Sequence, residues 1–447
     1  MIIKNGKFVT PKGVFKGDLL IEKGKIKKFG YKLKSNDKEF DAKGKYIIPG
    51  LIEVHGHLRE PGMTDKETIL TGTQAAAAGG VTTIIDMPNT KPPTTTVARL
   101  KQKIEKIYPK RSCIDYAFFM GVSKKSLKEL EKVDSKMIAG VKLFTAGHET
   151  VPTTIPDDKT LGKIFKILAE RKIIVAVHAE DQWLINYYKK KIEMLGKSNA
   201  AVWSELRPMS VVVAAAARAI ALAEQYGTKL YLLHLSTPEE FILVEAAKKR
   251  GVDVFAELVS YQLIFNTGDY KKLGNKIKVS PAIRSLKDQN NMWQLMEKGQ
   301  VIDVLCSEHT PHEWKTKNQP DVWKAQSGMP GIQETLPALI SQWVKRFSKK
   351  NLEAGLIRIA QLSSENPAKI FGFKTKGSIE INKDADLVIL ETKKTWTVKK
   401  KDLFSKCGWS AYEGMKLIGR PIATFVRGSL IYNDGQIISK PLGKWLK

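Results

Sequence analysis

The feature that most constrains the fold is an alternation, sustained through the middle of the chain, between short apolar runs and amphipathic segments about a dozen residues long. Eight apolar runs occur, at 46–54, 81–86, 114–121, 138–144, 173–177, 229–233, 252–257 and 301–306. Segments of helical periodicity separate most of them, at 66–78, 97–107, 161–170, 210–226, 238–249 and 286–297. Strands alternating with helices build a parallel sheet, and eight such units close into a barrel. The chain is therefore expected to be α/β, a (β/α)8 barrel of the TIM type over 49–375. The flanks differ in texture. Turn pairs such as Asn5-Gly6, Lys23-Gly24 and Lys43-Gly44 on one side, and Asn433-Asp-Gly435 on the other, punctuate short β-type runs. Residues 1–48 and 376–447 are expected to meet in one small β-sandwich domain, discontinuous in sequence.

Composition bears on partners and compartment. The formal charge is +28, and 62 of the 74 cationic residues are lysines. They are scattered, with only short clusters at 188–191 and 398–401, whereas a nucleic-acid arm would be a compact basic block. No specific nucleic-acid partner is expected. Cys113, Cys306 and Cys407 are odd in number and lack CxxC spacing, which argues against a disulfide framework or a thiolate zinc site. The start of the chain has no apolar signal core, and the most apolar run, 211–223, contains Arg218 and is too short to span a bilayer. A cytoplasmic protein that engages no membrane is expected.

Six of the seven histidines lie at or just beyond the C-terminal ends of predicted barrel strands, the face where barrels carry their chemistry. His55 and His57 are two apart, so on a strand they share a face and can hold one ion. His178 and His234 end the fifth and sixth runs, and His309 and His312 follow the eighth. For any one histidine a hydrogen-bonded core position is the simpler reading, but six at strand ends point to metal. Lys142 also falls near a strand end. An ordinary ammonium would repel a divalent ion, and only a carbamate formed with carbon dioxide would bind one. By spacing alone Lys142 is better read as a substrate-facing or salt-bridged lysine.

The ordered set His55-Gly-His57-Leu-Arg59-Glu-Pro-Gly62, Asp86-Met-Pro-Asn89, Lys142, His178-Ala-Glu180, His234, Ser307-Glu-His-Thr-Pro-His312 and Gly328-Met-Pro-Gly331 resembles the dihydroorotases of the amidohydrolase superfamily. The resemblance implies two zinc ions. One would be held by His55 and His57 and the other by His178 and His234, with carboxylated Lys142 as the bridge and Glu308 as both ligand and catalytic acid/base. It implies that Arg59, Asn89 and His312 grip a substrate carboxylate, as a forked cation and two directional hydrogen-bonding groups can. The implied reaction is the reversible closure of N-carbamoyl-L-aspartate to L-dihydroorotate in pyrimidine biosynthesis, with the metals activating water and polarising the amide carbonyl. Hydantoinases and allantoinases resemble this group in metal ligands, so a cyclic amidohydrolase of one of those types is the alternative expectation, but their usual motifs lack the arginine at the position of Arg59 and the histidine at that of His312. The resemblance also leaves room for a homo-oligomer or for association with aspartate transcarbamoylase.

Three departures stand out. Glu308 occupies a position where the family has aspartate, one methylene shorter; Glu257-Leu-Val-Ser-Tyr-Gln-Leu263 replaces a segment usually reading Pro-His-His; and Val279-Ser-Pro-Ala282 replaces Asn-Pro-Pro. Proton transfer requires hydrogen-bond distance, so the longer carboxylate raises a second expectation, a catalytically impaired homologue that supports a partner enzyme. His148, in Thr145-Ala-Gly-His-Glu-Thr150, belongs to a glycine-containing segment that reads equally as a lid or an ordinary loop.

Overall fold

The computed structural model describes residues 1–447 apart from 35–37, 148–153, 156 and 300, so His148 lies outside the described residues. The apolar runs form eight parallel strands: Leu51–Gly56, Val81–Asp86, Asp115–Gly121, Gly140–Phe144, Val175–His178, Leu230–Leu235, Val254–Val259 and Val304–Cys306. They pair with one another in chain order. The first and eighth strands are joined by a buried carboxylate rather than a regular ladder. Glu53 accepts from His55 N at 3.0 Å and from Ser307 N at 2.9 Å, and His57 N donates to the His309 carbonyl at 3.0 Å. Helices pack outside, starting where a side chain satisfies their first amides. Thr68 caps Ile69–Ala78, Thr237 precedes Pro238 in a capping box for Pro238–Lys249, and Ser285 caps Leu286–Lys298. The foot of the barrel is plugged by Phe371, whose ring meets Phe119 at 5.8 Å and Tyr231 at 5.3 Å. One helix, Met209–Tyr226, is long and apolar enough by composition to cross a membrane, but Ala215, Ala216, Ala219, Ile220 and Ala223 pack it into the core and Arg218 pairs with Asp181 at 2.8 Å.

The run at 46–54 is two strands rather than one. Tyr46–Pro49 belongs to the outer sheet, between Ile2–Thr10 and Leu387–Glu391, and Leu51–Gly56 to the barrel. The switch falls at Gly50, where a Cβ would sit 2.1 Å from Thr82 Oγ1, so a larger residue cannot pass between the layers. The two chain ends share this sheet of nine strands. Phe40 and Phe425, on strands that do not pair, meet edge to face at 5.4 Å, so the sheet curls over a core that includes Phe8, Leu19, Ile47, Leu387 and Ile389.

A buried charge cluster ties this module to the barrel. Lys376 Nζ lies 2.7 Å from Asp386, 3.1 Å from Asp384 and 2.5 Å from Asp115, the first residue of the third barrel strand, and Arg427 pairs with the same Asp115. Burial opposes the Lys376 charge, but the three carboxylates outweigh it and hold the ammonium well above its ordinary range. Removing one partner of a buried ion cluster leaves the others uncompensated. Lys376→Met is expected to lower unfolding stability by about 3 kcal/mol, read as a fall in the denaturant midpoint. A change within ~0.5 kcal/mol, the usual span for surface substitutions, would show that the cluster does not couple the two layers.

Candidate active site

Strand alternation aims most of the site. Val141 and Leu143 pack outward beneath the helices, so Lys142 between them points into the barrel, and His178 follows Val177 in the same way. His234 breaks the rule. Tyr231 points inward, its hydroxyl donating to Glu257 at 3.0 Å, so strict alternation would turn His234 out. The ladder to the seventh strand slips between Leu232 and Leu235, and His234 takes a left-handed backbone with φ 42°, which swings its ring back into the site. Arg59 (φ 62°) and Glu308 (φ 46°) are left-handed as well, and such backbone strain in non-glycine residues concentrates where function over-determines geometry.

The four histidines form a continuous row. Ring centroids are 5.4 Å apart for His57 and His55, 5.4 Å for His55 and His234, and 4.6 Å for His234 and His178. His55 donates from Nδ1 to Glu257 Oε1 at 2.8 Å, which directs Nε2 toward Glu308 Oε1, 3.8 Å away. Ligand atoms of His55, His57 and Glu308 lie within 4.8 Å of one another, close to the spread that one ion bound at roughly 2.0 to 2.2 Å would draw together. His178 Nε2 meets Glu180 Oε2 at 2.9 Å, leaving Nδ1 aimed at His234 Nε2, 2.8 Å away, while the buried His234 Nδ1 has no hydrogen-bond partner. The two nitrogens share one proton here, and an ion that displaced it would meet both as a second ligand pair. Burial pushes His55 down to about 4 and lowers His178 and His234, so all three are neutral imidazoles, the form that ligates. The donor set fits two divalent ions.

Lys142 is 1% exposed, its Nζ lies 4.5 Å from the centroid of the Phe144 ring, and its charge is felt by His55, His178 and His234. Burial pulls its ammonium down to about 7, against Glu308 and Glu257, so much of it is the neutral amine that adds carbon dioxide. Glu308 Oε2 accepts from the Tyr261 hydroxyl, and burial pushes its carboxyl up to about 8. Glu180 is opposed by burial yet held at about 2 by Arg207, 3.1 Å away, and by His178.

Arg59 and His312 come together. Arg59 is 1% exposed, donates from Nε to the Pro311 carbonyl at 3.2 Å and brings Nη2 within 3.3 Å of His312 Nε2, while Nη1 has no hydrogen-bond partner. Among the described residues no carboxylate pairs with it. Asn89 follows the second strand with a buried, unpartnered Oδ1 and no hydrogen bond to Arg59. His309 turns away from the ligand row, with Nε2 3.3 Å from Glu67 and Nδ1 accepting from Gly331 N at 3.3 Å.

Sequence reasoning missed Glu53, Glu180, Tyr261 and Glu257 as parts of the machinery. A signal was present for two of them: Glu53 and Glu257 are acidic residues inside otherwise apolar strand runs, and a carboxylate so placed must be paired.

Comparison with known proteins identifies the family. The family model described as "Amidohydrolase family" matches residues 46–431. An allantoinase from Desulfitobacterium hafniense is 32% identical over all of this chain and 98% of its own length. A dihydroorotase from Pyrococcus abyssi is 33% identical over 98% of this chain and 96% of its own. Among solved structures, an L-hydantoinase (dihydropyrimidinase) from Arthrobacter aurescens superposes with a TM-score of 0.94 at 30% identity, covering 100% of this chain and 99% of that one.

Glu257 accepts from His55 Nδ1, Tyr231 and His234 N at once, so it orients a ligand and the backbone of another. Glu257→Gln is expected to weaken divalent-ion affinity about 10- to 100-fold with the fold retained. Competition against a chromogenic chelator measures it, and unchanged affinity would show that Glu257 does not orient His55.

Proposed function

The chain belongs to the amidohydrolase family, in its cyclic amidohydrolase group, and we propose that it is a dihydroorotase that interconverts N-carbamoyl-L-aspartate and L-dihydroorotate. One observation carries this choice over the neutral cyclic ureides: a buried guanidinium, Arg59, with a donor that meets no acceptor and no carboxylate to pair with. Burial drags that group down to about 10 although Asp86, Glu308, Glu67 and Asp65 favour its charge from a distance, so among the described residues the buried cation has no carboxylate in contact with it. Dihydroorotate supplies the missing carboxylate. Hydantoin and allantoin carry no carboxylate to fill that role.

In this reading His55 and His57 would hold one zinc ion and His178 and His234 the other, with Lys142, as the carbamate its neutral amine can form with carbon dioxide, as a further ligand. Ions held there would supply the activation of water and the polarisation of the amide carbonyl. The chain's own residues do the rest. Arg59 anchors the carboxylate and fixes the ring, and Asn89, buried beyond the second strand, is the remaining candidate to orient it. Glu308 takes the proton released by the nucleophile and returns it to the departing ring nitrogen; ring closure runs the same transfers in reverse. Glu180, kept ionised by Arg207, fixes the His178 ring through Nε2.

Two departures noted in the sequence explain each other. The longer Glu308 reaches the hydroxyl of Tyr261, and Tyr261 lies in the segment that replaces the usual Pro-His-His. The pocket has adjusted to the extra methylene.

Assaying the protein loaded with zinc on dihydroorotate, hydantoin and allantoin tests the reading, with Arg59→Met beside the native chain. The native protein is expected to prefer dihydroorotate, and the variant to lose about 30-fold or more in kcat/KM on it, the lower end of a lost charge-assisted contact, with neutral rings little changed. A native preference for a neutral ring would replace dihydroorotase with that activity, and no turnover of any of them would favour a noncatalytic homologue.

Glu308→Gln is expected to abolish turnover without unfolding, because an amide cannot carry the proton. Glu308→Asp is expected to be slower than native, since the shorter arm loses Tyr261. A rate gain of tenfold in Glu308→Asp would mean that the native carboxylate is misplaced.

A further inference from the structure

The substrate clamp contains a second cation. Lys66 precedes the helix Ile69–Ala78, on the segment that leads away from Arg59, and its Nζ lies 3.3 Å from His312 Nδ1. His312 Nε2 lies 2.9 Å from the Ser327 carbonyl, which can only accept, so that nitrogen carries the proton. The other nitrogen must then offer its lone pair to Lys66, because a doubly protonated ring would set a cation against an ammonium. His312 is thus a neutral spacer between Lys66 on one ring nitrogen and Arg59 Nη2, 3.3 Å from the other. No carboxylate forms an ion pair with either cation among the described residues; Asp65 and Glu313 favour the Lys66 charge from a distance, Asp86, Glu308, Glu67 and Asp65 favour that of Arg59 in the same way, and Glu313 is paired with Lys315 at 2.9 Å. Two cations flanking one neutral ring repel each other unless an anion joins them.

We infer that Lys66 is a specificity-determining residue, the second cation of a two-cation clamp in which Lys66 and Arg59 share the substrate carboxylate and His312 holds the two apart. This rests on the reading of the site as one for a carboxylated ring. It differs from the expectation that His312 grips the carboxylate itself, since the bonds of both its ring nitrogens to Ser327 and Lys66 occupy the positions from which it would donate. The class of ligand selected is a cyclic amide with a carboxylate on the ring, and the same clamp discriminates against the identical ring without one.

The test compares L-dihydroorotate with dihydrouracil, the same ring lacking the carboxylate, on the native chain, Lys66→Gln, Lys66→Arg and Arg59→Met. Dissociation constants come from calorimetry or intrinsic tryptophan fluorescence, and KM and kcat from turnover. Lys66→Gln is expected to weaken dihydroorotate binding and raise its KM about 10- to 100-fold, the range of a lost charge-assisted contact, with kcat and dihydrouracil affinity within about twofold. Lys66→Arg keeps the charge and is expected to stay within about threefold of native on dihydroorotate. Native-like dihydroorotate affinity in Lys66→Gln, equal losses on both rings, or a tenfold loss in Lys66→Arg would each overturn the clamp. If the native chain prefers dihydroorotate and only Arg59→Met loses it, the clamp alone falls; if the native chain binds both rings equally, the dihydroorotase reading falls and the clamp with it.

Discussion

The geometry of the site depends on a buried carboxylate, Glu257, that is bonded at once to the side chain of His55 on the first strand, to the backbone of His234 on the sixth and to the hydroxyl of Tyr231. Its oxygens take His55 Nδ1 at 2.8 Å, His234 N at 2.9 Å and the Tyr231 hydroxyl at 3.0 Å. A carboxylate in a barrel interior is tolerated only when its acceptor sites are filled, and filling them fixes the rotamers of the residues that fill them. The same logic operates at the seam, where Glu53 bonds His55 N and Ser307 N and so sets the first strand against the eighth. Barrel closure and ligand geometry are therefore one constraint, since the groups that join the strands also aim the imidazoles.

Charge balance around the site follows from that interior. On the metal side, neutral imidazoles present lone pairs rather than charge, while burial holds the Lys142 ammonium down and the Glu308 carboxyl up. Glu180 and Arg207 pair at 3.1 Å behind His178. On the substrate side the balance is open: Arg59 and Lys66 face a neutral ring with no anion between them. In the proposed reading such a site would be electrostatically costly when empty and would favour a ligand of matching charge over an uncharged isostere. The module at the chain ends contributes as well. Its return segment brings Ser405 and Lys406 N to Glu67, the acceptor for His309, and Trp409 Nε1 to the His312 carbonyl at 2.7 Å.

Much of this was legible in the residues. All eight strands were visible as apolar runs because strands buried on both faces need continuous hydrophobic sequence, and the helices because each buries one stripe. The division within 46–54 was not, since Pro49 and Gly50 sit in a run that is apolar on both sides and only the approach of Thr82 shows where the layers part. His55, His57, Lys142 and His178 could be placed by alternation. His234 could be placed only at a strand end, because the slip that turns it inward depends on its pairing with the seventh strand.

What the sequence determined by itself is the architecture and the roster of chemical groups: a (β/α)8 barrel with a β-rich module from both ends, histidines at strand ends, and one lysine and one acid among them. Periodicity and strand-end position are local properties, and local properties survive in a string of letters. Tertiary structure alone decided which nitrogen of each imidazole faces the site, that Tyr261 meets the longer arm of Glu308, and that Lys66 joins Arg59 across His312. These depend on contacts between residues tens to hundreds of positions apart, whose directions are set by buried hydrogen bonds and left-handed backbone at Arg59, His234 and Glu308. No spacing within the chain encodes them, because they exist only once the barrel has closed.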